Sequence, residues 1–238
     1  MTEKQEFFTI MGGRVKMRRS LYNPTSDSVW LAAFINDSPK TVLDVGTGSG
    51  AVALCLMARV SDINMTAIDI SDEMLTAAKE NFELNKKKAE FIHADILNWH
   101  TNKTFDLVIT NPPYFKGTPA HHNAHHNADL ATWTRKCIAR VKPNGMFATV
   151  IAPSEIPTVM HEMTHHCGDF QILPLFSNKN TAERVLLSAR VGRAPGARIF
   201  NGISMNCDAI LRDGQSVESV LNQSKENQTQ TGTIAQVL

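Results

Sequence analysis

The sequence predicts an α/β domain built on a doubly wound, mostly parallel, seven-stranded sheet with an antiparallel pair at one end. Three observations carry this reading. Short apolar runs alternate with helical stretches from about residue 41 onward, the pattern of βαβ units whose crossover helices cover both faces of a parallel sheet. The runs Thr41 to Gly46 (TVLDVG) and Phe105 to Thr110 (FDLVIT) are apolar almost throughout, as strands buried on both faces must be. Only about seven residues separate Phe176 from Arg184. That is too short for a helical crossover, so the last two strands must run antiparallel.

The elements follow in order. Thr41 to Gly46 is the first strand, Ala51 to Val60 a helix and Asn64 to Ile70 the second strand. Ser71 caps the next helix, with Asp72 and Glu73 in the first turn, where the partial positive charge of a helix N-terminus favours acids. Ala89 to Asp95 and Phe105 to Thr110 are the third and fourth strands. A helix from about Ala128 to Val141 is expected to stop before Pro143, because proline has no N–H to give the helix. Gly145 to Ala152 then reads as a strand, Glu155 to Cys167 as a helix, and Phe170 to Phe176 with Arg184 to Val191 as the closing pair. Residues 1–40 are expected to form an N-terminal capping segment, 41–215 the main domain, and 216–238 a polar, flexible tail.

The chain has 238 residues, enough for one sizeable core. No apolar run approaches the roughly 18 residues that span a bilayer, so no membrane association is expected. Met1 to Ile10 mixes charges with Phe7 and Phe8 instead of forming a signal-peptide core, so a cytoplasmic location is expected. The four cysteines, Cys55, Cys137, Cys167 and Cys207, are scattered without a CxxC pair, which suits reduced side chains better than a disulfide framework. A net charge of +1 does not announce a nucleic-acid binder. Local groups do more: Arg14, Lys16, Arg18 and Arg19 cluster early, and Arg190, Arg193 and Arg198 cluster late. Arg14, Arg18, Arg19, Arg190 and Arg193 are the candidates for contacts to an RNA backbone. Lys86 to Lys88 read as a solvated face.

Asp44-Val45-Gly46-Thr47-Gly48-Ser49-Gly50-Ala51 ends one strand and opens one helix. Glycines there let the backbone turn sharply and come close to a ligand. Gly46, Gly48 and Ala51 satisfy the dinucleotide fingerprint, and Asp69 lies where its ribose-binding acid belongs. A nucleoside-binding loop explains more. It places Asp44 toward a cationic ligand, Asp69 at the ribose hydroxyls and Asp95 near the adenine, each at the end of a strand. Both readings stand on this loop alone.

Asn111-Pro112-Pro113-Tyr114 follows directly on the fourth strand, and here the chain resembles the amino-methyltransferases that carry an N-P-P-Y motif in this place. A planar amine or amide nitrogen has a delocalised lone pair and attacks a sulfonium methyl poorly. Two acceptors that hold both of its N–H groups can orient it toward the methyl. The Asn111 side-chain oxygen and the Pro112 carbonyl can be those acceptors, the two prolines stiffen the loop, and Tyr114 offers a face for stacking. A dehydrogenase has no use for this tetrapeptide.

With the glycine loop and this motif in place, the chain resembles the class I S-adenosylmethionine-dependent N-methyltransferases, which have a Rossmann-like sheet. The resemblance implies S-adenosylmethionine as cofactor, held by Asp44, Gly46, Thr47, Gly48, Gly50, Asp69, Ile70, Ala94, Asp95 and Asn111. It implies Asn111, Pro112, Pro113 and Tyr114 as the catalytic set. Met11 to Lys16, Thr25-Ser26-Asp27, the helix Val29 to Phe34, Ala128-Asp129-Leu130 before Trp133, Lys142 to Gly145 and Arg184 to Leu187 resemble the bacterial valine-tRNA adenine N6-methyltransferases. The match covers roughly residues 7 to 215. It implies methyl transfer to an adenine N6 amine in the anticodon region of a tRNA; the sequence leaves the oligomeric state open, with a monomer favoured.

Glutamine N5-methyltransferases of release factors share the tetrapeptide, yet resemble one another in a helical domain before the glycine loop, where only about 40 residues stand here. Ribosomal RNA guanine N2-methyltransferases resemble one another in N-P-P-F, against Tyr114 here. One departure from the tRNA enzymes is the His- and Asn-rich stretch His121 to Asn127, expected as a mobile polar loop at the substrate mouth. His161-Glu162-x-x-His165 matches a zinc-protease signature. It falls in an expected outer helix with no third ligand nearby, so no metal is expected.

Overall fold

The computed structural model describes residues 7–19, 23–112, 123–177 and 180–223, with backbone alone for 123–129. In chain order the strands are β1 (Phe7–Ile10), β2 (Val15–Arg18), β3 (Thr41–Val45), β4 (Asn64–Asp69), β5 (Glu90–His93), β6 (Phe105–Thr110), β7 (Val141–Ile151), β8 (Cys167–Phe176), β9 (Arg184–Val191), β10 (Ala197–Ile199) and β11 (Ile203–Ser204). The helices are α1 (Ser26–Phe34), α2 (Ala51–Arg59), α3 (Asp72–Leu84), α4 (Asn123–Ile138), α5 (Ile156–Thr164) and α6 (Asp208–Leu211).

The main sheet runs β10-β8-β9-β7-β6-β3-β4-β5, with β11 beside β10 on the same edge of β8. β3 to β7 are parallel, and β9 is antiparallel to both β7 and β8. The seven expected strands are all present and the antiparallel pair lies where the short connection requires it. The sheet nevertheless has nine strands, not seven. β10 and β11 are too short and too exposed to carry an apolar signature; they add to β8 in parallel through residues 170–172 and 175–176.

Side chains alternate between two cores. On β3, Val42 faces one and Leu43 and Val45 the other; on β7, Met146, Ala148 and Val150 oppose Phe147 and Ile151. The first core includes α1, α2 and Phe82 of α3; the second includes α4 and α5. The sheet is thus covered on both faces, as its apolar strands require.

Two boundaries differ from the sequence reading. α4 begins at Asn123, so part of the expected His-rich loop, including His125 and His126, is helical backbone, whereas His121 and His122 lie outside the described residues. At its other end β7 begins at Val141, and Pro143 sits inside the strand. The ladder skips from Phe105↔Val141 to Leu107↔Met146, and Asn144 has φ 64°. This bulge is a place where a proline forfeits no ladder bond, so Pro143 does not mark the strand's start.

The N-terminal segment is packed into the body. β1 and β2 form an antiparallel hairpin that the sequence reading did not foresee. Met11, Val15 and Met17 join α1 in the first core. Residues 217–223, expected to begin a flexible tail, are helical, and Val217 is buried. Trp30, fully buried in α1, donates its Nε1–H to the Met205 carbonyl at 3.2 Å and so joins the N-terminal helix to the segment after β11. Trp30→Ala should lower unfolding free energy by about 3–5 kcal/mol. Trp30→Phe, which keeps a ring but loses the donor, should cost about 1–3 kcal/mol. Both are read by chemical denaturation; equal costs would mean that the hydrogen bond, not the ring, dominates.

Candidate active site at the strand ends

The order of the sheet reverses between β3 and β6: β4 and β5 lie to one side of β3, and β6 and β7 to the other. The carboxyl ends of strands at such a reversal form a crevice. A cavity of about 460 Å³ lies there, within the size range of small-ligand sites. Val45, Gly46, Gly48, Ile68, Asp69, Ile70, Met74, Ala94, Asp95, Ile96, Leu97, Asn111 and Trp133 line it.

The floor is the glycine loop. Gly46, Gly48 and Gly50 have φ of 67°, 55° and 81°, a region that side chains with a Cβ rarely enter. Close packing adds a second constraint. A Cβ on Gly46 would stand 3.2 Å from the Trp133 ring, and one on Gly50 would stand 2.9 Å from Phe82 Cε2. The N–H groups of Gly46 and Thr47 both donate to the Ile68 carbonyl, at 2.9 and 3.1 Å. The Gly48 N–H donates to Asp69 Oδ2 at 2.8 Å, while Asp69 Oδ1 accepts from the Ser71 N–H at 2.9 Å. Asp69 thus shapes the loop and the turn into α3 and still presents a carboxylate edge to the cavity.

Asp95 is held in a similar turn, accepting from the Leu97 N–H at 2.9 Å and from Asn98 Nδ2 at 2.8 Å. Beside it Ile70, 67% exposed, is one of two large hydrophobics left open to water among the described residues, and it forms part of the cavity wall. An apolar side chain in that position suits a flat ring laid against it.

Asp44 stands just behind the wall. It is fully buried; Oδ2 accepts from Thr47 Oγ1 at 2.7 Å, and Oδ1 has no hydrogen-bond partner among the described residues. Burial pushes its pKa up to about 7, against the lowering effect of the Thr47 hydroxyl. At the other side of the reversal Asn111 Oδ1 is likewise buried without a partner. Unpaired buried acceptors are costly; Asn111 is in the cavity wall, and Asp44 directly precedes the wall residues Val45 and Gly46.

The structure therefore brings together Gly46, Gly48, Asp69, Ile70, Ala94, Asp95 and Asn111 in the wall, with Asp44, Thr47 and Gly50 as its immediate support. Pro112 follows Asn111; Pro113 and Tyr114 lie outside the described residues. Trp133 is a cavity residue that the sequence reading used only as part of a resemblance. Its Nε1–H donates to Thr110 Oγ1 at 3.1 Å, and that hydroxyl donates to the Val45 carbonyl at 2.8 Å. A signal existed: Leu130, Thr134 and Cys137 put the buried stripe of α4 on the side where Trp133 lies. Met74, Ile96 and Leu97 were also missed.

The arginine candidates divide. Arg14, Arg18 and Arg19 are exposed on the hairpin; Arg18 pairs with Glu80 at 3.4 Å and Arg19 lies over Phe8. Arg190 is instead opposite Met146, at the amino-end edge of the parallel strands, paired with Asp37 and with Asp169 at 3.8 Å. Arg193 lies just beyond it on the same edge. The structure does not bring Arg190 and Arg193 to the cavity, because an antiparallel last strand ends at the opposite edge of the sheet from its parallel neighbours. The H-E-x-x-H motif is also resolved differently: Glu162 accepts from Arg135 Nε at 2.9 Å and NH2 at 3.2 Å, tying α5 to α4. Among the described residues no three His, Cys, Asp or Glu side chains are grouped to hold a metal. No described helix is long and apolar enough to cross a membrane.

Comparison with known proteins agrees with this geometry. A family model, the methyltransferase small domain, matches residues 26–172. The chain is 27% identical over 152 residues to the tRNA1(Val) (adenine(37)-N6)-methyltransferase of Glaesserella parasuis, covering 60% of this chain and 64% of that protein. It is 46% identical over 84 residues to the release factor glutamine methyltransferase of Lactococcus lactis, covering 35% of this chain and 30% of the other. The matched stretch thus spans less than two thirds of either relative's length. Solved structures with the same fold include a predicted O-methyltransferase from Agrobacterium tumefaciens (TM-score 0.60, 22% identity, 75% of this chain and 85% of that one). Another is the T. thermophilus 16S rRNA N2 methyltransferase in complex with AdoMet and guanosine (TM-score 0.55, 21% identity, 74% and 47%).

The cavity fits S-adenosylmethionine. Asp69 would hold the ribose, Ile70 and Asp95 the adenine, and the glycine loop the remainder, with the Asp44 charge beneath its cationic end. A cation favours ionised Asp44 and lowers its pKa, so binding should release a proton at pH values between that lowered pKa and about 7. The association constant is expected to rise by up to about tenfold per pH unit toward 7 and to level off above it. Asp44→Asn should flatten that profile in titration calorimetry; a profile unchanged in the variant would remove Asp44 from the linkage. The matched family model, lying over the strands and helices that build this cavity, places the chain in the methyltransferase small domain family.

Proposed function

We propose that the chain methylates the exocyclic N6 amine of an adenine in the anticodon region of a tRNA. The observation that carries the reading is Asn111 Oδ1: a buried acceptor without a partner among the described residues, at the end of β6 and in the cavity wall. Adenine N6 bears two N–H groups, and two acceptors are needed to hold both. Asn111 Oδ1 takes one and the adjacent Pro112 carbonyl the other, which turns the nitrogen lone pair toward the cofactor. When bound, S-adenosylmethionine supplies an electrophilic methyl group on a sulfonium. The chain's own contribution is alignment, exclusion of water by the apolar wall around Trp133, and acceptance of hydrogen bonds that strengthen as the nitrogen becomes positive. The surplus proton then leaves to solvent, so no general base is required. A base in an anticodon-region loop is already unpaired and costs little to turn out of its stack.

The tRNA-modifying relative from Glaesserella parasuis, 27% identical over 152 residues, supports this substrate. Exposed Arg18 and Arg19, on the hairpin, support a nucleic-acid substrate through phosphate contacts. A second reading, a glutamine side chain of a protein, is favoured by the higher local identity to the release factor enzyme. A carboxamide also presents two N–H groups, so Asn111 serves either.

Transfer of labelled methyl from S-adenosylmethionine to small RNA and, separately, to a protein extract tests the proposal. Label in RNA as N6-methyladenosine is expected; label in protein alone would move the enzyme to the second reading. Asn111→Ala should cut turnover by more than about a hundredfold. Its cofactor affinity should stay within about threefold of the wild type, and retained turnover would refute the acceptor role.

A further inference from the structure

β2 pairs with β1 along one edge only, and an unpaired strand edge leaves backbone groups seeking partners. Two asparagines one turn apart on α3 take the place of the missing strand. Asn85 donates from Nδ2 to the Lys16 carbonyl at 2.6 Å and accepts the Lys16 N–H on Oδ1 at 2.9 Å. Asn81 accepts the Arg18 N–H on Oδ1 at 2.8 Å. The spacing explains the match. Two strand residues advance about 6.6 Å and four helix residues about 6 Å, so an i, i+4 pair on a helix can meet an i, i+2 pair on a strand.

Asn81 does one thing that Asn85 does not. It is buried, and its Nδ2 donates to the Ser49 carbonyl in the glycine loop at 2.9 Å. The loop's other ties come from itself and from β4: Gly46 and Thr47 to Ile68, Gly48 to Asp69, Gly50 to Thr47. Asn81 alone among these partners also holds the N-terminal hairpin. The next residue, Phe82, presses on Gly50 so closely that even a methyl group there would collide. The turn of α3 at 81–82 is thus seated against the loop, with one amide joining a hairpin N–H to a loop carbonyl. A side chain needed only to fill this buried space would be apolar, since burying a carboxamide is unfavourable unless its hydrogen bonds are made.

We infer that Asn81 is a positioning residue that couples the β1–β2 hairpin to the cofactor loop. Cofactor binding fixes Ser49, Ser49 fixes the Asn81 amide, and the amide fixes Arg18. By reciprocity, disturbing the hairpin's hold on Asn81 changes cofactor affinity by the same factor.

The test uses the full chain and S-adenosylhomocysteine, so it does not depend on the methyl acceptor. In the wild type, saturation with S-adenosylhomocysteine should slow amide exchange at Arg18 by at least about threefold; an unchanged Arg18 rate overturns the coupling. Asn81→Asp keeps an oxygen for the Arg18 N–H but turns an oxygen on the Ser49 carbonyl. Its Kd for S-adenosylhomocysteine should rise about tenfold or more by titration calorimetry. Asn85→Ala frees the hairpin edge without touching Ser49, and its Kd should stay within about twofold. Equal effects of the two substitutions, or an unchanged Kd in Asn81→Asp, would make Asn81 a structural asparagine only. Should Asn81→Asp fail to fold, the wild-type exchange rate at Arg18 decides the matter.

Discussion

The cavity depends on a backbone path that residues with a Cβ rarely follow. Three glycines in five residues, Gly46, Gly48 and Gly50, hold positive φ, and the rings of Trp133 and Phe82 close on two of them. The turn brings the loop's first two N–H groups onto one carbonyl of the neighbouring strand, Ile68. That leaves Asp69 to fix the third. Once the loop is so pinned, the start of α2 and the wall of the cavity have little freedom. The position of the loop comes in turn from the sheet, because only where strand order reverses can a loop leave β3 without being covered by the next crossover.

Polar groups around this turn are left short of partners where a ligand would complete them. Asp44 and Asn111 each bury an oxygen that accepts nothing among the described residues; Arg140 Nε and Thr149 Oγ1 are the other buried side-chain atoms without a partner there. Asp106 shows the contrast. It takes hydrogen bonds from the Lys40 and Thr41 N–H groups, the Thr41 hydroxyl and Lys142 Nζ. The Lys142 ammonium above all holds its pKa down to about 2. That carboxylate sits at the amino ends of β3, β6 and β7 and fastens them. The carboxyl ends carry the unsatisfied pair. The sheet thus has one edge fastened by the Asp106 carboxylate and another that carries two buried acceptors without partners among the described residues.

Much of this was legible in the sequence because its physics is local. The apolar runs gave seven strands, the glycine spacing marked the loop, and Asp44, Asp69 and Asp95 are at strand ends because each follows its own apolar run directly. What was not legible depends on distant partners. β1 and β2 are four residues each, and β2 is completed by asparagine side chains from α3, a pairing without any pattern in sequence. β10 and β11 exist because β8 offers an edge. Pro143 misled the strand boundary because a bulge removed the usual cost of proline in a ladder. Arg190 was misplaced for a topological reason: charge clustering says nothing about the edge at which an antiparallel strand ends.

The same reasoning explains why the cavity specifies the reaction more sharply than the substrate. On the proposed reading the two acceptors at Asn111 and Pro112 would read a planar nitrogen bearing two hydrogens, and an adenine amine and a glutamine carboxamide both satisfy that. Relatives named for tRNA and for release factors both match part of this chain, as expected if the matched parts encode the step they share. Discrimination must then come from surfaces that flank the cavity without forming its wall. In this chain the candidates are the cationic hairpin, fastened to the glycine loop through Asn81, and the rest of α4, the helix that carries Trp133 into the cavity wall. Each is an addition to the transfer machinery, and each is joined to it by a short physical link: an amide in the first case and the Trp133 side chain in the second. Substrate choice and methyl transfer are therefore separable in sequence yet mechanically continuous in the fold.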